Sequence, residues 1–537
     1  MTREAAGRRY SWLVSLAVAL GGFLMGFDAS VISGVVGFIE TEFRLTEIQL
    51  GWGVASLTLS ATVSMMVCGP LADRYGRRRV LRIAALLFGL SAVASALAPN
   101  FLLLVVARML GGLGVGAALI VAPMYIAEIA PADIRGRLVA LNQLNIVVGI
   151  SAAFFSNYLI LQLGQSDTPW AGTLGLGVWN WRWMLGVEAL PALVYFAALL
   201  LVPESPRWLG MQGRTREARM IMQRVHGAAG ADRVLSALDA TAEPGRPASA
   251  IPLSELFGTS MRRVLVIALV VAVVQQITGI NAVFFYAPMI FEQSGIGTDA
   301  AFMQAVFVGL VNLAFTVAAL LLIDRLGRRP LLLAGTAGVA VCMILLAWAF
   351  GSATYTLTDH ALAALPAAVD GGALASLAGI TFESDVAFKA AVAAAAGPET
   401  LAEYESLLVA AAIRADSGLI LAGILGFVAS FAVSLGPVMW VLFSELFPNR
   451  LRGLAISFVG LVNSSVSFLV QLLFPWEIAN IGSAGTFLIY GLFAVAGFLI
   501  ILRLMPETKG RSLEELEALL VDAPARLTPE RGPSTRG

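Results

Sequence analysis

Long apolar runs alternate with short polar segments along most of this 537-residue chain. A helix that crosses a bilayer needs about 20 mostly apolar residues. Twelve runs meet that requirement: residues 12–39, 48–72, 82–99, 101–127, 137–163, 182–202, 264–291, 301–323, 330–352, 417–443, 453–475 and 484–505. The pattern therefore predicts an all-α membrane protein with twelve transmembrane helices, numbered here as spans 1 to 12.

The composition favours one large membrane domain over several soluble ones. Hydrophobic residues make up 58% of the chain and charged residues 13%, whereas soluble proteins carry roughly 25% charged residues. The formal net charge is +0, so nothing indicates nucleic-acid binding. Cys68 and Cys342 lie in apolar runs as core thiols, and no spacing indicates a disulfide framework or a metal site.

The arginine distribution predicts the orientation. Arginine-rich connections between spans alternate with arginine-poor ones, and positively charged loops stay on the cytoplasmic side. Both termini are therefore expected in the cytoplasm, and the first run is interpreted as a retained helix and not as a signal peptide. Lysine occurs only at Lys389 and Lys509 while arginine is frequent, which favours a GC-rich bacterial genome and the bacterial inner membrane.

Two motifs occur once in each half of the chain. Leu71-Ala-Asp-Arg-Tyr-Gly-Arg-Arg78 resembles Ile323-Asp-Arg-Leu-Gly-Arg-Arg329, in the connection after span 2 and after span 8. Glu128-Ile-Ala-Pro-Ala-Asp-Ile-Arg-Gly136 resembles Glu445-Leu-Phe-Pro-Asn-Arg-Leu-Arg-Gly453, after span 4 and after span 10. Such self-similarity predicts two related halves of six spans each.

The spacing of the repeats locates an insertion. Asp73 and Asp324 are 251 residues apart, whereas Glu128 and Glu445 are 317 apart, so the second half is 66 residues longer between these motifs. Residues 353–416 account for most of that excess. This segment is rich in alanine and in acidic residues, so it predicts short amphipathic helices outside the membrane and not a thirteenth span.

These boundaries define the expected domain organisation. It comprises a first six-helix half (1–204), a cytoplasmic helical linker (205–262), a second six-helix half (263–510) with the external insert (353–416), and a cytoplasmic tail (511–537). Parallel repeats of six spans, related by a pseudo-twofold axis, are the architecture of major facilitator transporters.

Further motifs narrow the resemblance. Pro203-Glu-Ser-Pro-Arg-Trp-Leu209 follows span 6, Gln275-Gln-Ile-Thr-Gly-Ile-Asn281 lies in span 7, and Pro506-Glu-Thr-Lys-Gly510 follows span 12. With the two Asp-Arg-x-Gly-Arg-Arg motifs they resemble the sugar porter family of the major facilitator superfamily, over nearly the whole chain except both tails and the insert. The resemblance implies monosaccharide transport by alternating access, without a cofactor and by a single chain.

The ionisable charges well inside the predicted spans are Asp28, Arg108 and Glu188. Intramembrane charges are costly and indicate function by default, and these three have similar predicted depths. A fixed ion pair that holds helices together is one interpretation. The other is a proton switch, because a nearby arginine favours the ionised carboxyl group while burial without it favours the protonated form.

The family resemblance favours the switch. A carboxylate and an arginine that match Asp28 and Arg108 resemble those of proton-coupled sugar porters, whereas facilitative members often have a neutral residue at the first position. We therefore expect symport driven by the proton gradient, with facilitative uniport as the alternative.

Neutral amide groups in span 7 are candidates for sugar binding. Gln275, Gln276 and Asn281 lie in a charge-free run, and each amide offers both donors and acceptors to sugar hydroxyls. Gly279 is expected to loosen the helix and turn Asn281 inward. The alternative is that these amides only join helices by hydrogen bonds.

The resemblance implies further sugar contacts. Their matching residues are Gln143 in span 5, Asn312 in span 8, Trp440 in span 10 and Asn463 in span 11, with Phe23 and Tyr286 as additional aromatic contacts. The chain departs from the family pattern where Phe285 precedes Tyr286 instead of a second tyrosine, and where Ser464 replaces a common tryptophan.

Charged residues also collect at the predicted cytoplasmic ends of spans. They are Arg77, Arg78, Glu128, Arg135, Glu204 and Arg207 in the first half, and Asp324, Arg328, Glu445 and Arg452 in the second. The resemblance implies a salt-bridge network that closes the cytoplasmic side. The alternative is that these arginines only set the orientation of the spans, because positively charged residues are enriched in cytoplasmic loops.

Two other classes of protein fit less well. A sugar sensor without transport is expected to carry a long cytoplasmic signalling tail, and the tail here is short. An enzyme is disfavoured because no nucleophile, metal or nucleotide motif occurs. The glycine-rich stretch 111–116 lies inside a predicted span, where small residues allow close helix packing.

Overall fold

The computed structural model describes residues 3–131, 133–225, 253–258, 261–363, 365, 369, 371–448, 450–509 and 515. Twelve helices in this part of the chain are long and apolar enough to cross a membrane, which confirms the predicted number. Spans 1 to 12 are Gly7–Gly34, Glu47–Tyr75, Arg77–Ala96, Phe101–Ile129, Arg135–Gly164, Asn180–Leu201, Arg262–Phe285, Thr298–Leu326, Arg328–Gly351, Ser417–Leu446, Arg452–Asn480 and Ser483–Leu504.

Local sequence explains where several spans begin. Thr46 and Gln49 form a capping box at the start of span 2, in which each side chain bonds the other residue's backbone N–H. Asn100 caps span 4 in the same role by accepting from the Leu103 N–H. Gly76, with a φ of 96°, separates spans 2 and 3, and Gly327, with a φ of 94°, separates spans 8 and 9. The glycine of each repeated motif therefore permits a turn that other residues rarely adopt.

Two spans of the second half are broken near their middle. Span 7 consists of helices Arg262–Ile277 and Ile280–Phe285, separated at Gly279, whose φ is 88°. Span 10 is broken at Ser434, between Ser417–Val433 and Leu435–Leu446. The expected loosening at Gly279 is present. Irregular backbone at membrane depth is tolerated where it is buried in protein, and Ser434 is fully buried.

Spans 1 and 6 are interrupted as well. Span 1 consists of helix Arg3–Val31 and the 3-10 turn Ile32–Gly34, and a further helix, Val36–Phe43, follows. Span 6 is divided into Asn180–Gly186 and Ala189–Leu201, with Glu188 in the interruption.

The remaining elements outside the spans are short. Pro169–Thr173 precedes span 6, Ala287–Glu292 follows span 7, and the linker contains Pro206–Met211, a helix at 215–225 and the 3-10 turn Leu253–Phe257. Linker residues 226–252 lie outside the described residues, and so does the tail 511–537 apart from residue 515.

The insert forms a small subdomain with its own core. Helices Asp359–Ala363, Gly371–Leu374, Asp385–Ala396 and Pro398–Ala412 surround three strands, β1 (Thr354–Thr356), β2 (Thr381–Phe382) and β3 (Ile413–Arg414). The antiparallel order is β2-β1-β3. The sequence predicted only helices here, and that expectation was incomplete. Strands of two or three residues are too short to show an alternating pattern.

Hydrogen bonds and packing attach the insert to the second half. Asp385 Oδ2 accepts from the Ser483 N–H, 3.1 Å away at the start of span 12. Gly295 lies so close to Ile413 that a Cβ on the glycine would be 2.7 Å from the Ile413 side chain. The insert therefore moves with the second half if the halves move apart.

The two faces of the protein differ in how the halves meet. We call the face that carries the linker the linker face, and the face that carries the insert the insert face. At the insert face the rings of Phe38 and Phe302 are 6.5 Å apart, and those of Trp52 and Phe468 are 5.8 Å apart. Each pair joins the two halves, so the insert face is closed by apolar packing.

Two carboxyl groups lie near this closure. Burial, together with the charges of Glu405 and Glu47, raises the pKa of Glu40 on helix Val36–Phe43 to about 8, against the opposing charge of Lys389. Burial raises the pKa of Glu292 to about 7, against a hydrogen bond from Thr298. Lys389 itself is paired with Glu405, Nζ to Oε1 2.6 Å.

We expect acid to stabilise the closed insert face. Glu40 and Glu292 hold protons more tightly when the face is closed than when water reaches them at their ordinary pKa of 4.5. The stabilisation is fully present below that ordinary pKa and is lost as the pH rises through about 7 to 8. Distances between spin labels on the two halves, measured from pH 5 to 9, should show the insert face opening as the pH rises.

The double variant Glu40→Gln and Glu292→Gln should remove most of the pH dependence of the distance across the insert face. Asp28 is unchanged in this variant, so any dependence due to Asp28 remains. Glu399→Gln, an exposed change in the insert, is the matched control and should behave like the unmodified protein. An unchanged pH profile in the double variant would contradict this prediction.

Candidate functional site

Asp28 and Arg108 form an ion pair inside the first half. Arg108 Nη1 lies 3.5 Å from Asp28 Oδ1, and both side chains are almost completely buried. Gly111 makes room for the pair, because a Cβ there would lie 2.6 Å from Asp28 Oδ2. Asp28 Oδ2 and Arg108 Nε have no hydrogen-bond partner among the described residues. The pair is a single long contact and not a bidentate bond.

Glu188 joins the same cluster from the interruption in span 6. It is buried, and the charges of Asp28 and Arg108 both act on its carboxyl group. The structure thus brings together the three intramembrane charges that the sequence singles out. Two carboxylates against one guanidinium leave an unpaired negative charge, which is costly in a buried place. Protonation of one of the two carboxyl groups removes that cost.

The amides of span 7 form one cluster with Asn463 of span 11. Gln275 Oε1 accepts from Gln276 Nε2 at 3.1 Å and from Asn463 Nδ2 at 2.7 Å. Gln276 Nε2 also donates to Asn463 Oδ1, 3.1 Å away, and Gln276 Oε1 accepts from Asn281 Nδ2 at 2.7 Å. The break at Gly279 lets Asn281 reach back to Gln276. Four predicted sugar ligands therefore lie within direct hydrogen-bond reach of one another.

A cavity of about 520 Å³ opens between the halves on the linker side of this cluster. Among the predicted ligands Gln143 and Trp440 line it, together with Thr62, Asn142, Ser444 and Ser457. Trp440 is 38% exposed. Gly460 lines the cavity one helical turn before Asn463, so the amide cluster lies directly behind the cavity wall.

The other predicted contacts do not line this cavity. Phe23 packs beside Phe27, with ring centres 6.0 Å apart, and Asn312 is buried in span 8. Tyr286 is fully buried and its hydroxyl donates to the Gln471 carbonyl, 2.9 Å away. In this conformation Tyr286 therefore serves packing between spans 7 and 11.

On the linker face of the first half, Glu128 is the centre of a buried cluster. Arg77 binds it through Nε and Nη2, at 3.0 and 2.9 Å, and the Ser205 hydroxyl donates to it. Arg77 also contacts Asp73, with 2.9 Å between Nη2 and Oδ1. Glu204 accepts from the Arg78 N–H at the start of span 3, 3.0 Å away.

The second half repeats this cluster contact for contact. Arg328 binds Glu445 through Nε and Nη2, at 3.0 and 2.8 Å, and lies 3.3 Å from Asp324. The Thr508 hydroxyl donates to Glu445, 2.7 Å away. Glu507 accepts from the Arg329 N–H at 3.2 Å, as Glu204 does from Arg78, and also from the Arg328 N–H at 3.2 Å. Pro506-Glu-Thr is therefore the counterpart of Pro203-Glu-Ser.

The predicted latch residues pair within each half in this conformation. Among the described residues, no ion pair of this group crosses between the halves, and the cavity lies between the halves on this side. Arg135 donates to the Ala130 carbonyl at 3.5 Å, and Arg452 to the Phe447 carbonyl at 3.3 Å. Closure of this face by these residues stays a prediction.

Several residues of these clusters were not among the residues predicted from the sequence. They are Ser205, Glu507 and Thr508 on the linker face, and Thr58, Ser467 and Gln471 beside the amide cluster. A signal existed for the first three, because Pro-Glu followed by a hydroxyl residue ends both halves. Single polar residues in apolar spans gave none for the others.

The geometry defines a membrane transporter: two six-span halves enclose a polar site that is open to one face and closed to the other. Comparisons with known proteins agree. The family described as "Sugar (and other) transporter" matches residues 14–382 and 390–520. The chain belongs to this family, the sugar porters of the major facilitator superfamily.

Individual relatives cover nearly the full chain. The arabinose-proton symporter of Bacillus subtilis is 35% identical, over 95% of this chain and 95% of that protein. The D-xylose-proton symporter of Escherichia coli strain K12 is 34% identical, over 95% and 96%. The inward open structure of the E. coli xylose transporter XylE matches with a TM-score of 0.71 at 32% identity, over 95% of this chain and 100% of that chain.

The two linker-face clusters should differ in their contribution to stability. Glu128 is 6% exposed and Glu445 is 21% exposed. Breaking a buried ion pair costs about 3–5 kcal/mol, because the remaining charge stays buried and unpaired, whereas exposed pairs contribute little. Glu128→Gln should therefore lower the melting temperature in detergent clearly more than Glu445→Gln, which serves as its matched control. Equal losses would contradict the interpretation.

Proposed function

We propose that this protein imports a monosaccharide, a pentose or hexose, together with protons across the bacterial inner membrane. The observation that carries the proposal is the combination of a buried Asp28–Arg108–Glu188 cluster in the first half with an uncharged amide cluster beside a cavity. Relatives named as arabinose- and xylose-proton symporters support both the cargo and the coupling.

The linker face is assigned to the cytoplasm. Its connections carry the arginines that the positive-inside rule keeps there, and both termini then lie in the cytoplasm. The cavity that opens at this face corresponds to an inward-facing state. A single chain contains the whole path, so a monomer should suffice, and the proposal includes no cofactor and no chemical change of the sugar.

Neutral recognition suits a neutral cargo. Without sugar, the amides of the cluster bond one another: they are those of Gln275, Gln276, Asn281 and Asn463. Each amide has donors and acceptors to which a sugar hydroxyl can bond in place of a neighbouring amide. Trp440 and Gln143, on the cavity wall, provide an aromatic face and a further amide from the other half. Sugar bound there contacts both halves, which alternating access requires.

Proton coupling rests on protonation of a carboxyl group in this cluster beside Arg108. With the Asp28–Arg108 contact in place, the ionised carboxylate is favoured; separation of the two leaves a buried carboxyl group that takes up a proton. A movement of span 1 against span 4 therefore changes proton affinity. That link between protonation and conformation is what symport needs.

Asp28→Asn tests the coupling. The variant should lose uptake against a concentration gradient in proteoliposomes with an imposed proton gradient, because the site no longer takes up and releases a proton. Counterflow exchange, which needs no net proton movement, should persist. Asp28→Glu, which keeps the carboxyl group, is the control, and uptake should be followed with labelled arabinose, xylose and glucose.

Undiminished concentrative uptake by Asp28→Asn would contradict a role for this carboxyl group. Uptake by the unmodified protein that never exceeds equilibration, with or without the proton gradient, would instead identify a facilitative uniporter.

Asn463→Leu tests the sugar site. Loss of its amide leaves a sugar hydroxyl or a neighbouring amide unpaired, at a cost of about 1–3 kcal/mol, and should weaken sugar binding about 5- to 150-fold. Titration calorimetry on the purified protein measures this. Asn480→Leu is the control, because Asn480 lies at the exposed end of the same span and bonds only the Trp476 carbonyl. Similar affinities for both variants would argue against the amide cluster as the sugar site.

A further inference from the structure

A chain of hydrogen bonds leads from the amide cluster to the other half of the protein. Asn281 Nδ2 donates to Ser467 Oγ at 2.6 Å, and Gln471 Nε2 donates to the same oxygen at 2.7 Å. Thr58 Oγ1 in turn donates to Gln471 Oε1, 2.8 Å away. Because Asn281 also bonds Gln276, the chain begins at a predicted sugar ligand and ends in the first half.

The last bond crosses the closed insert face. Thr58 lies in span 2 and Gln471 in span 11, and these spans touch so closely that a Cβ on Gly51 would lie 2.0 Å from the Leu472 carbonyl oxygen. The aromatic contact of Trp52 with Phe468 belongs to the same interface. If the insert face opens, span 2 separates from span 11 and Thr58 leaves Gln471.

Because the chain is buried, breaking one of its hydrogen bonds affects whether the neighbouring hydrogen bond forms. Gln471 is 1% exposed and Ser467 5%, so an amide oxygen that loses Thr58 stays unpaired or turns to another donor. A turn of the Gln471 amide removes its bond to Ser467. The Ser467 oxygen accepts both donors with its two lone pairs, and a change at either one alters its bond to Asn281.

We propose that Ser467 and Gln471 form a hydrogen-bond relay that couples sugar binding at the amide cluster to closure of the insert face through Thr58. The proposal rests on the proposed function, because it takes a sugar as the ligand of Gln276 and Asn281. The coupling is reciprocal: closure changes sugar affinity by the same factor by which sugar changes the equilibrium of closure.

A double-mutant cycle tests the relay. Sugar dissociation constants are measured by calorimetry for the unmodified protein, Thr58→Val, Ser467→Ala and the double variant, with whichever of xylose, arabinose and glucose binds most tightly. If the relay exists, the change in dissociation constant of the double variant should differ by about threefold or more from the product of the two single changes. This coupling is expected although Thr58 belongs to the other half. In a Gln471→Met background, Thr58→Val should leave sugar affinity unchanged.

Ser151→Ala provides the matched control. Ser151 Oγ also joins the halves, by donating to the Gly309 carbonyl at 2.8 Å, but its hydrogen bonds within the described part of the chain go to Gly309 and Val147 and not to the relay. Its effect should multiply with that of Ser467→Ala to within about twofold. Multiplicative effects in the Thr58 cycle, or equal coupling in both cycles, would overturn the relay.

The reciprocal measurement guards against variants that fold poorly. Sugar added to the unmodified protein should shift the spin-label distance across the insert face, and Ser467→Ala should reduce that shift while melting and gel filtration stay normal. An unreduced shift contradicts the relay. If the unmodified protein binds none of the three sugars, the proposed function fails, and the relay fails with it; binding without coupling contradicts the relay alone.

Discussion

A polar group that this chain carries into its interior costs free energy unless it finds a partner there, because neither lipid nor the packed core offers water. That constraint explains the distribution of polar contacts. Arg77 and Glu128 satisfy each other at a buried helix end, the span 7 amides satisfy one another beside the cavity, and Asp28 shares Arg108 with Glu188. Apolar packing builds the spans, and these few polar clusters decide how the spans are arranged.

The two halves have similar polar clusters at the linker face but different ones elsewhere. The linker-face clusters around Glu128 and Glu445 are nearly identical, down to a glycine turn, a capping glutamate and a hydroxyl donor in each. In each half they join the ends of three spans to the segment that follows the last span of that half. Away from that face the resemblance ends: the first half contains the buried charges, and the second contains most of the amides. Under the proposed function, the proton site therefore lies in the first half and most sugar contacts lie in the second, so that relative motion of the halves couples them.

Relative motion of the halves would break contacts at the insert face. Aromatic pairs close it, and the Thr58–Gln471 hydrogen bond crosses it. The insert, attached to the start of span 12 by Asp385, adds charges beside Glu40 of the first half. Opening exposes this apolar surface to water, which costs about 25 cal/mol per Å², whereas water replaces the few hydrogen bonds at a small net cost.

The sequence by itself determined the twelve spans, the repeated motifs, the insertion and the candidate site residues. Span length, turn glycines and intramembrane charges are local properties, so Asp28, Gly76 and Gln275 are visible without a fold. The tertiary structure decided the partners: Glu507 with Arg328, Gln471 with Thr58, and latch residues that pair within each half. It also decided that Gln143 and Trp440 line the cavity and Tyr286 does not. Contacts between residues hundreds of positions apart depend on helix packing and conformational state, which periodicity and composition do not encode.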